Sequence, residues 1–322
     1  MAQAFPRLLG DIGGTNARWA WQQDAGSGLS RASTYPCAQF ESVQAVIEHY
    51  LLDQRLPRPA RVAFGIATPI TGDVVTMTNH HWSFSVAALQ AALGVERCLV
   101  INDFEAIAAA LPTLTAADSR RVGGGVAVPG APLAVLGPGT GLGVAGLVQG
   151  AAGRPIGIAG EGGHVTLAAA NAREASVLAH LQGRYGHASA ERAISGPGLV
   201  NLYEAVCALD ARPAVALPPA EVVDRALAGS DAACVEALQL FGGFLGNVAG
   251  NLALTLGARG GIFLGGGIVP RLGTAFDTLP FRARFEDKGR FRAYLERIPT
   301  SVITAPAPAL YGAANALDAM VD

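Results

Sequence analysis

Two turns rich in glycine and threonine are each flanked by apolar, strand-like runs. The first turn comprises Gly10, Asp11, Ile12, Gly13, Gly14 and Thr15. Glycines lack a Cβ atom, so backbone N–H groups can approach a large anion, while the Thr15 hydroxyl adds a donor and the Asp11 carboxylate suits hydrated Mg²⁺. The turn is therefore typical of a nucleotide-phosphate site, and an ordinary glycine-rich hairpin is the equally open alternative.

A second turn of the same kind lies within residues 133–148. It contains Gly137, Gly139, Thr140 and Gly141 between two apolar runs. Two such hairpins predict two related halves, as a nucleotide held between similar domains would require. A further glycine run at residues 265–267 follows an apolar strand, which predicts Gly266 and Gly267 on the adenosine side of that nucleotide. A tight strand-to-helix turn without a ligand is the alternative for this run.

A second group of residues is acidic or polar in character and lies beside glycines. Its members are Asn102, Asp103, Glu161, His164 and Glu191. A hexose offers a ring of hydroxyls that donate to carboxylates, and hydrogen bonds to charged groups contribute about 1.5–3 kcal/mol each. Glycines at 162 and 163 would permit close approach to the ring. The group predicts a sugar site, with structural alternatives for Asp103 (a helix N-cap), Glu191 (a helix start) and His164 (a carboxylate's partner).

The elements that must position these residues follow an α/β pattern. Residues 8–21 and 29–35 are predicted to form a hairpin and a third strand, and residues 42–52 a helix. Asn102 and Asp103 follow a buried strand and precede a helix, at the sheet edge where ligands of open α/β sheets collect. Asn79 lies in a polar aromatic loop at residues 78–82, which is either a ligand loop or a surface loop with Trp82 against the core.

Length and composition predict two domains. The chain has 322 residues, of which 51% are hydrophobic and only 15% charged, and it contains 41 glycines. These values fit buried parallel sheets with many tight turns. The glycine- and proline-rich stretch 112–132 is the predicted boundary, so residues 1–112 plus 306–322 form a small α/β domain and residues 113–305 a large one. The active-site cleft is predicted between them.

Charge and cysteine spacing disfavour several classes of partner. The net charge is −2 and no basic run exceeds Arg120-Arg121, so neither nucleic acid nor a membrane is a predicted partner. Four distant cysteines without a CxxC motif, and an N-terminus without a signal-peptide core, predict a cytoplasmic location. Residues 238–258 are uncharged and long enough to cross a bilayer, but their interrupting amide side chains favour a buried helix.

With these motifs, the sequence resembles the proteobacterial-type glucokinases of the hexokinase-like and actin-like ATPase superfamily, outside the ROK group. The resemblance rests on residues 10–16, 78–82, 101–104, 136–143, 160–165, 189–203 and 264–271. It implies an actin-like (ribonuclease H-like) two-domain sugar kinase fold with a duplicated β-hairpin phosphate motif. It also implies ATP and Mg²⁺ as cofactors, and frequently a homodimer.

The resemblance implies a role for each candidate residue. Glucose would bind Asn102, Asp103, Glu161, His164 and Glu191, with Asn79 added from its loop. Asp103 would be the catalytic base, and the first turn would hold the ATP phosphates with Asp11 meeting Mg²⁺ through water. The implied reaction is ATP-dependent phosphorylation of D-glucose at its 6-hydroxyl, the first step of glycolysis. A non-catalytic sensor of hexose and nucleotide is the alternative, and a kinase of another small substrate such as acetate is disfavoured by Glu161 and His164.

Overall fold

The computed structural model describes residues 5–150 and 153–320. It divides into a first unit of Met1–Leu114, Gln149–Ala159 and Ala305–Asp322, and a second unit of Thr115–Val148 and Gly160–Thr304. The sequence had placed residues 149–159 in the second domain, whereas the structure groups them with the first. Residues 1–4, 151–152 and 321–322, which the predicted domains include, lie outside the described residues.

The first unit is built on a five-stranded sheet in the order β3-β2-β1-β4-β7. Its strands are β1 (Arg7–Ile12), β2 (Asn16–Gln22), β3 (Ser30–Pro36), β4 (Arg61–Ile66) and β7 (Arg97–Asn102). β1 and β2 form an antiparallel hairpin, while β4 and β7 run parallel to β1. Every residue of β4 is buried, as expected for a central parallel strand. A separate pair, β5 (Val74–Thr76) and β6 (Ser83–Ser85), flanks the 78–82 loop.

The helices of the first unit cover its sheet. They are α1 (Val43–Asp53), α2 (Val86–Leu93), α3 (Asp103–Ala110) and α11 (Pro308–Ala319). The Ser42 side chain caps α1 by accepting from the backbone N–H of Ala45, which satisfies one of the unpaired donors at a helix start. α11 comes from the far end of the chain and packs against α3, β1 and β4. The helix that follows Asn102 is thus held by a segment about two hundred residues away in sequence.

The second sheet has six strands in the order β11-β10-β9-β12-β13-β8. They are β8 (Ser119–Gly123), β9 (Leu133–Pro138), β10 (Leu142–Gln149), β11 (Pro155–Gly160), β12 (Gly261–Leu264) and β13 (Thr300–Ile303). β9 and β10 form an antiparallel hairpin, and β12 and β13 run parallel to β9. Hairpin, parallel strand and parallel strand therefore follow the same order in both sheets. β8 was not predicted, because this edge strand contains only one apolar residue.

The helices of the second unit pack around one long helix. They are α4 (Ala172–Tyr185), α5 (Gly196–Leu209), α6 (Pro219–Ala228), α7 (Ala232–Leu256), α8 (Val269–Leu272), α9 (Phe281–Glu286) and α10 (Arg292–Glu296). α7 has the length and composition of a membrane span, but 72% of its most apolar window is buried inside the protein. A Cβ atom at Gly242 would lie 2.7 Å from the Leu279 side chain, and one at Gly250 would lie 2.5 Å from the Phe285 carbonyl oxygen. The glycines let this buried helix pack closely against the α9 region, and the predicted buried helix is confirmed.

Candidate active site

Asn102 and Asp103 stand where strand β7 passes into helix α3. The Asn102 Oδ1 atom accepts from the backbone N–H groups of Phe104 at 2.9 Å and Glu105 at 3.2 Å, so Asn102 is the N-cap. The interpretation of Asp103 as the cap was therefore wrong by one residue. Asp103 is the first residue of the helix, is half-buried, and its Oδ1 accepts from the Phe104 N–H at 2.9 Å.

Gly65 in β4 packs closely against the backbone of Asp103. This contact was not predicted from the sequence. A Cβ atom on Gly65 would lie 3.1 Å from the Asp103 Cα atom and 3.0 Å from the Ala106 Cβ atom. The available signal was a single glycine inside a buried strand, since such a glycine often marks close backbone approach. The Asn102 Nδ2 atom also donates to the Thr68 carbonyl oxygen at 3.3 Å. The backbone that carries Asp103 is thus fixed by its neighbours on both sides.

Glu105 is a second carboxylate near the start of α3. It is half-buried, and burial raises its pKa above the usual value, with a backbone hydrogen bond at Asn102 opposing the shift. A Cβ atom on Gly157 of β11 would lie 2.7 Å from the Glu105 Oε1 atom. This close approach is one of the contacts within the first unit that residues 149–159 make. The half-buried position of Glu105 was not predicted from the sequence.

The turn between β1 and β2 presents two backbone donors. The Gly13 N–H donates to the Asn16 carbonyl oxygen at 2.9 Å, and the Thr15 carbonyl oxygen accepts from Cys37 at 2.8 Å. The N–H groups of Gly14 and Thr15 have no hydrogen-bond partner within the described part of the chain. Two unpaired amides on a glycine turn are the arrangement that binds phosphate oxygens.

Gly10 and Ile12 belong to the core beneath this turn. The Ile12 side chain is fully buried. A Cβ atom on Gly10 would overlap the Trp19 ring and would lie 2.7 Å from the Phe64 Cβ atom. The side-chain positions of both residues hold the hairpin, and their contact with a nucleotide stays a prediction. In the turn itself, Gly13 and Gly14 are half-buried and Thr15 is exposed.

Asp11 lies at the same turn and is the predicted metal-associated residue. Its side chain is 26% exposed, and the Arg18 guanidinium lies 3.4 Å from its Oδ2 atom. Burial raises the pKa of Asp11, and the charge of Arg18 opposes this shift. A partly exposed carboxylate with one long ion pair fits a group that accepts from the water ligands of Mg²⁺. Within residues 5–150 and 153–320, no cluster of three or more metal-ligating side chains occurs.

The turn between β9 and β10 brings together the glycine segments of the second unit. The Gly139 N–H donates to the Gly141 carbonyl oxygen, and the Gly267 N–H donates to Pro138 at 3.1 Å. Gly266 has φ +74° and lies against the Pro138 carbonyl oxygen, where a Cβ atom would overlap, so this position requires glycine. The Thr140 and Gly141 N–H groups have no partner among the described residues. The two predicted nucleotide segments of this unit are therefore adjacent.

Glu191 is anchored to the same turn. Its Oε2 atom accepts from the Leu142 N–H at 2.8 Å. A Cβ atom on Gly141 would overlap that oxygen. The carboxylate therefore keeps one oxygen on the hairpin and leaves Oε1 for another partner. This contact was not predicted from the sequence, because Leu142 and Glu191 are 49 positions apart.

Glu161, His164 and Glu191 are carried by adjacent turns of the second unit. The 3₁₀ turns Gly162–His164 and Ala190–Arg192 pack together, and the Ala190 N–H donates to the Val165 carbonyl oxygen at 2.9 Å. Glu161 and His164 are exposed, and Glu191 is half-buried. The structure thus brings together the part of the predicted sugar set that lies in this unit.

Gly162 and Gly163 pack closely against strand β10. A Cβ atom on Gly162 would lie 2.8 Å from the Val144 side chain, and one on Gly163 would overlap the Leu142 carbonyl oxygen. These glycines are required for the turn to pack on β10. Their close approach to a sugar ring stays a prediction.

The 78–82 loop combines an exposed amide with one buried aromatic side chain. Asn79 is exposed, and its Cβ atom lies 3.4 Å from the Cβ position of Gly14, next to the first phosphate-type turn. Trp82 is buried and its Nε1–H donates to the Phe40 carbonyl oxygen at 3.0 Å, so the prediction of Trp82 against the core is confirmed. The His80 ring lies between His81 and Trp82, with centroids 4.3 and 4.7 Å away.

Solved structures show which class of protein has this fold. A crystal structure of glucokinase from an Antarctic psychrotroph has a TM-score of 0.90 and 37% identity, covering 99% of this chain and 100% of that one. The glucokinase of Balamuthia mandrillaris, solved in complex with glucose, has a TM-score of 0.77 and 25% identity, covering 99% and 95%. The fold is therefore the mixed α/β fold of sugar kinases, and this part of the predicted fold class is confirmed.

Sequence comparison then gives the family. The glucokinase of Aromatoleum aromaticum is 53% identical over 318 residues, covering 98% of this chain and 96% of that protein. The family model described as Glucokinase matches residues 8–320. The chain therefore belongs to the glucokinase family, and the alternative of a non-catalytic sensor is not favoured.

Proposed function

We propose that this member of the glucokinase family transfers the γ-phosphoryl group of ATP to the 6-hydroxyl of D-glucose, with Asp103 as the general base. The observation that supports this proposal is the position of Asp103. It is a half-buried carboxylate at the carboxyl end of a parallel strand, on a helix start whose cap is supplied by Asn102. Ligands of open α/β sheets collect at this edge.

The proposed step at Asp103 is proton transfer. The 6-hydroxyl loses its proton as its oxygen attacks the γ-phosphorus, and a carboxylate within hydrogen-bond reach accepts that proton. Gly65 and the Asn102 cap hold the backbone of Asp103 in place. A fixed base loses little entropy when the sugar binds.

Glucose is proposed to bind through polar side chains of the predicted sugar set. Glu161, His164 and the Glu191 Oε1 atom would accept or donate to ring hydroxyls, and the second Nδ2 hydrogen of Asn102 would donate to another. Charge-assisted bonds of this kind contribute about 1.5–3 kcal/mol each and select stereochemistry. Asn79 is proposed as a further sugar ligand, and its place beside Gly14 suits the end of the sugar that receives phosphate.

The ATP phosphates are proposed to bind the two glycine turns. The unpaired amides of Gly14, Thr15, Thr140 and Gly141 supply donors, with the residues 266–267 on the adenosine side. Asp11 would hold Mg²⁺ through water. When bound, Mg²⁺ neutralises charge on the phosphate oxygens.

A coupled ADP-release assay over a panel of hexoses tests the function. Glucose is expected to give the highest kcat/KM, because the acidic set is proposed to read the ring hydroxyls, and omission of Mg²⁺ is expected to abolish turnover. Acetate serves as the non-sugar control. ATP consumption with acetate and with no hexose would contradict the substrate assignment.

Gly141→Ala tests the link between the phosphate turn and the sugar set. The added Cβ atom would displace the Glu191 carboxylate, so kcat/KM for glucose is expected to fall by about 10- to 100-fold, the worth of one charge-assisted hydrogen bond. Steady-state kinetics over glucose concentration measure this effect. Adding Glu191→Ala to the Gly141→Ala variant should lower kcat/KM for glucose little further, because both changes act on one carboxylate. Fully additive losses would show that Gly141 acts independently of Glu191.

Cellular location and assembly stay predictions. The four cysteines are buried and free, which supports a reducing compartment such as the cytoplasm. The homodimer rests on the family resemblance, and light scattering of the purified chain tests it.

A further inference from the structure

A groove of about 650 Å³ lies in the second unit, apart from the residues proposed for catalysis. Its walls include Val126, Val128 and Tyr294, together with the arginines Arg259 and Arg297. Val126 is 82% exposed, which is unusual for a large apolar side chain. The lining contains no carboxylate. The groove thus combines apolar surface with positive charge.

The guanidinium groups of the two lining arginines have no polar partner among the described residues. Within the described part of the chain, neither the Arg259 nor the Arg297 guanidinium makes a hydrogen bond or an ion pair, whereas Arg282 is bound to Glu286 and to the Ile298 carbonyl oxygen. Arg121 donates to the Gly124 carbonyl oxygen at 2.6 Å and adds charge at the same turn. Ten unpaired donors, five per guanidinium, therefore remain for an external acceptor.

The backbone under the groove is closely packed. A Cβ atom on Gly125 would lie 2.5 Å from the Arg297 carbonyl oxygen, and one on Gly124, where φ is +88°, would overlap the Ile298 carbonyl oxygen. The Val128 N–H donates to the Arg259 carbonyl oxygen at 3.0 Å. These contacts fix the two arginine backbones against one glycine turn. Arg259 and Arg297 both line this single groove.

The groove lies at the sheet edge opposite the phosphate-type turn of this unit. Arg259 precedes β12 and Arg297 precedes β13, so both stand at the amino ends of parallel strands. Gly266 and Gly267 follow the carboxyl end of β12. A ligand in the groove would therefore be separated from the nucleotide segments by the length of the sheet.

We propose that this groove is a second ligand site, which binds a small organic dianion through Arg259 and Arg297 and packs its apolar part against Val126 and Tyr294. Planar guanidinium groups match the geometry of phosphate and carboxylate oxygens. The apolar walls favour an anion attached to a carbon body over a bare ion. A phosphate monoester and a dicarboxylate share this chemistry.

Phenyl phosphate, phthalate and phenol are the probes, measured by saturation-transfer NMR on the intact protein, and inorganic phosphate is measured by its competition with bound phenyl phosphate. Saturating glucose and a non-hydrolysable ATP analogue are present, so that the proposed catalytic site is occupied. Phenyl phosphate or phthalate is expected to bind at least about tenfold more tightly than inorganic phosphate or phenol. The tighter of the two identifies a phosphate ester or a dicarboxylate as the ligand class.

Arginine replacements locate the binding. Arg259→Ala and Arg297→Ala are each expected to weaken binding by about tenfold, and the double variant by about 100-fold. Arg290→Ala is the matched control, because this exposed arginine of the same unit lies outside the groove. kcat/KM for glucose should be unchanged in all variants, which confirms that they fold. Undiminished binding in the double variant, or no binding up to about 10 mM, would overturn the proposal.

Discussion

Asp103→Asn is expected to lower kcat by about 10²–10⁴ while the glucose Kd changes far less. Asparagine keeps the size of the side chain and much of its hydrogen bonding, but it cannot accept the proton of the 6-hydroxyl. Because Asn102 supplies the helix cap, the replacement should leave the melting temperature almost unchanged. Steady-state kinetics, glucose titration and thermal melting of the same preparation measure the three quantities.

Glu161→Gln is the matched control for this experiment. Glu161 is exposed and proposed only to hold ring hydroxyls, so its replacement should weaken glucose affinity more than it lowers kcat. The opposite balance in the two variants separates a base from a binding group. Near-wild-type turnover in Asp103→Asn would contradict the proposed mechanism.

Gly312→Ala is expected to destabilise the first unit by about 3 kcal/mol, toward the upper end of typical overpacking effects. In helix α11, a Cβ atom at this position would overlap the Ala106 carbonyl oxygen and would lie 3.1 Å from the Ala110 backbone nitrogen. The obstacle is backbone, which cannot rotate away, so α11 must move off α3. Thermal melting and urea unfolding measure the loss.

Gly183→Ala is the control variant, and it is expected to raise stability where Gly312→Ala lowers it. Gly183 lies inside helix α4, and a Cβ atom there would meet nothing within 4 Å. Alanine should therefore stabilise that helix by about 0.5–1 kcal/mol through its lower backbone entropy. Equal melting temperatures for both variants would show that the contact between α3 and α11 contributes little.

The sequence predicted those parts of the fold that apolar runs and glycine motifs indicate. The strand before Asn102 and the stripe of α1 were visible as apolar runs, and both are present with shifts of one or two residues. The paired glycine turns were visible as motifs. Strand β8 was not, because an edge strand pairs through backbone atoms and needs few apolar side chains.

The reasons for individual glycines could not be read from the sequence. Gly10 and Gly163 also pack closely against protein atoms of other segments, which their motifs did not indicate. Gly65 and the contact of Gly141 with Glu191 were missed for the same cause. A close approach depends on which distant segment lies opposite, and local spacing carries no information about that partner.

The position of α11 delays the packing of helix α3 in a newly made chain. Asp103 begins α3, but the helix that packs on α3 is Pro308–Ala319, which leaves the ribosome after the whole second unit. At about 5–20 residues per second, the roughly 200 residues between them take on the order of 10–40 s to synthesise. During that time Ile101 and Ala106 lack the partner Ala309 that buries them. Helix α3 thus gains this packing partner only after the second unit has been synthesised.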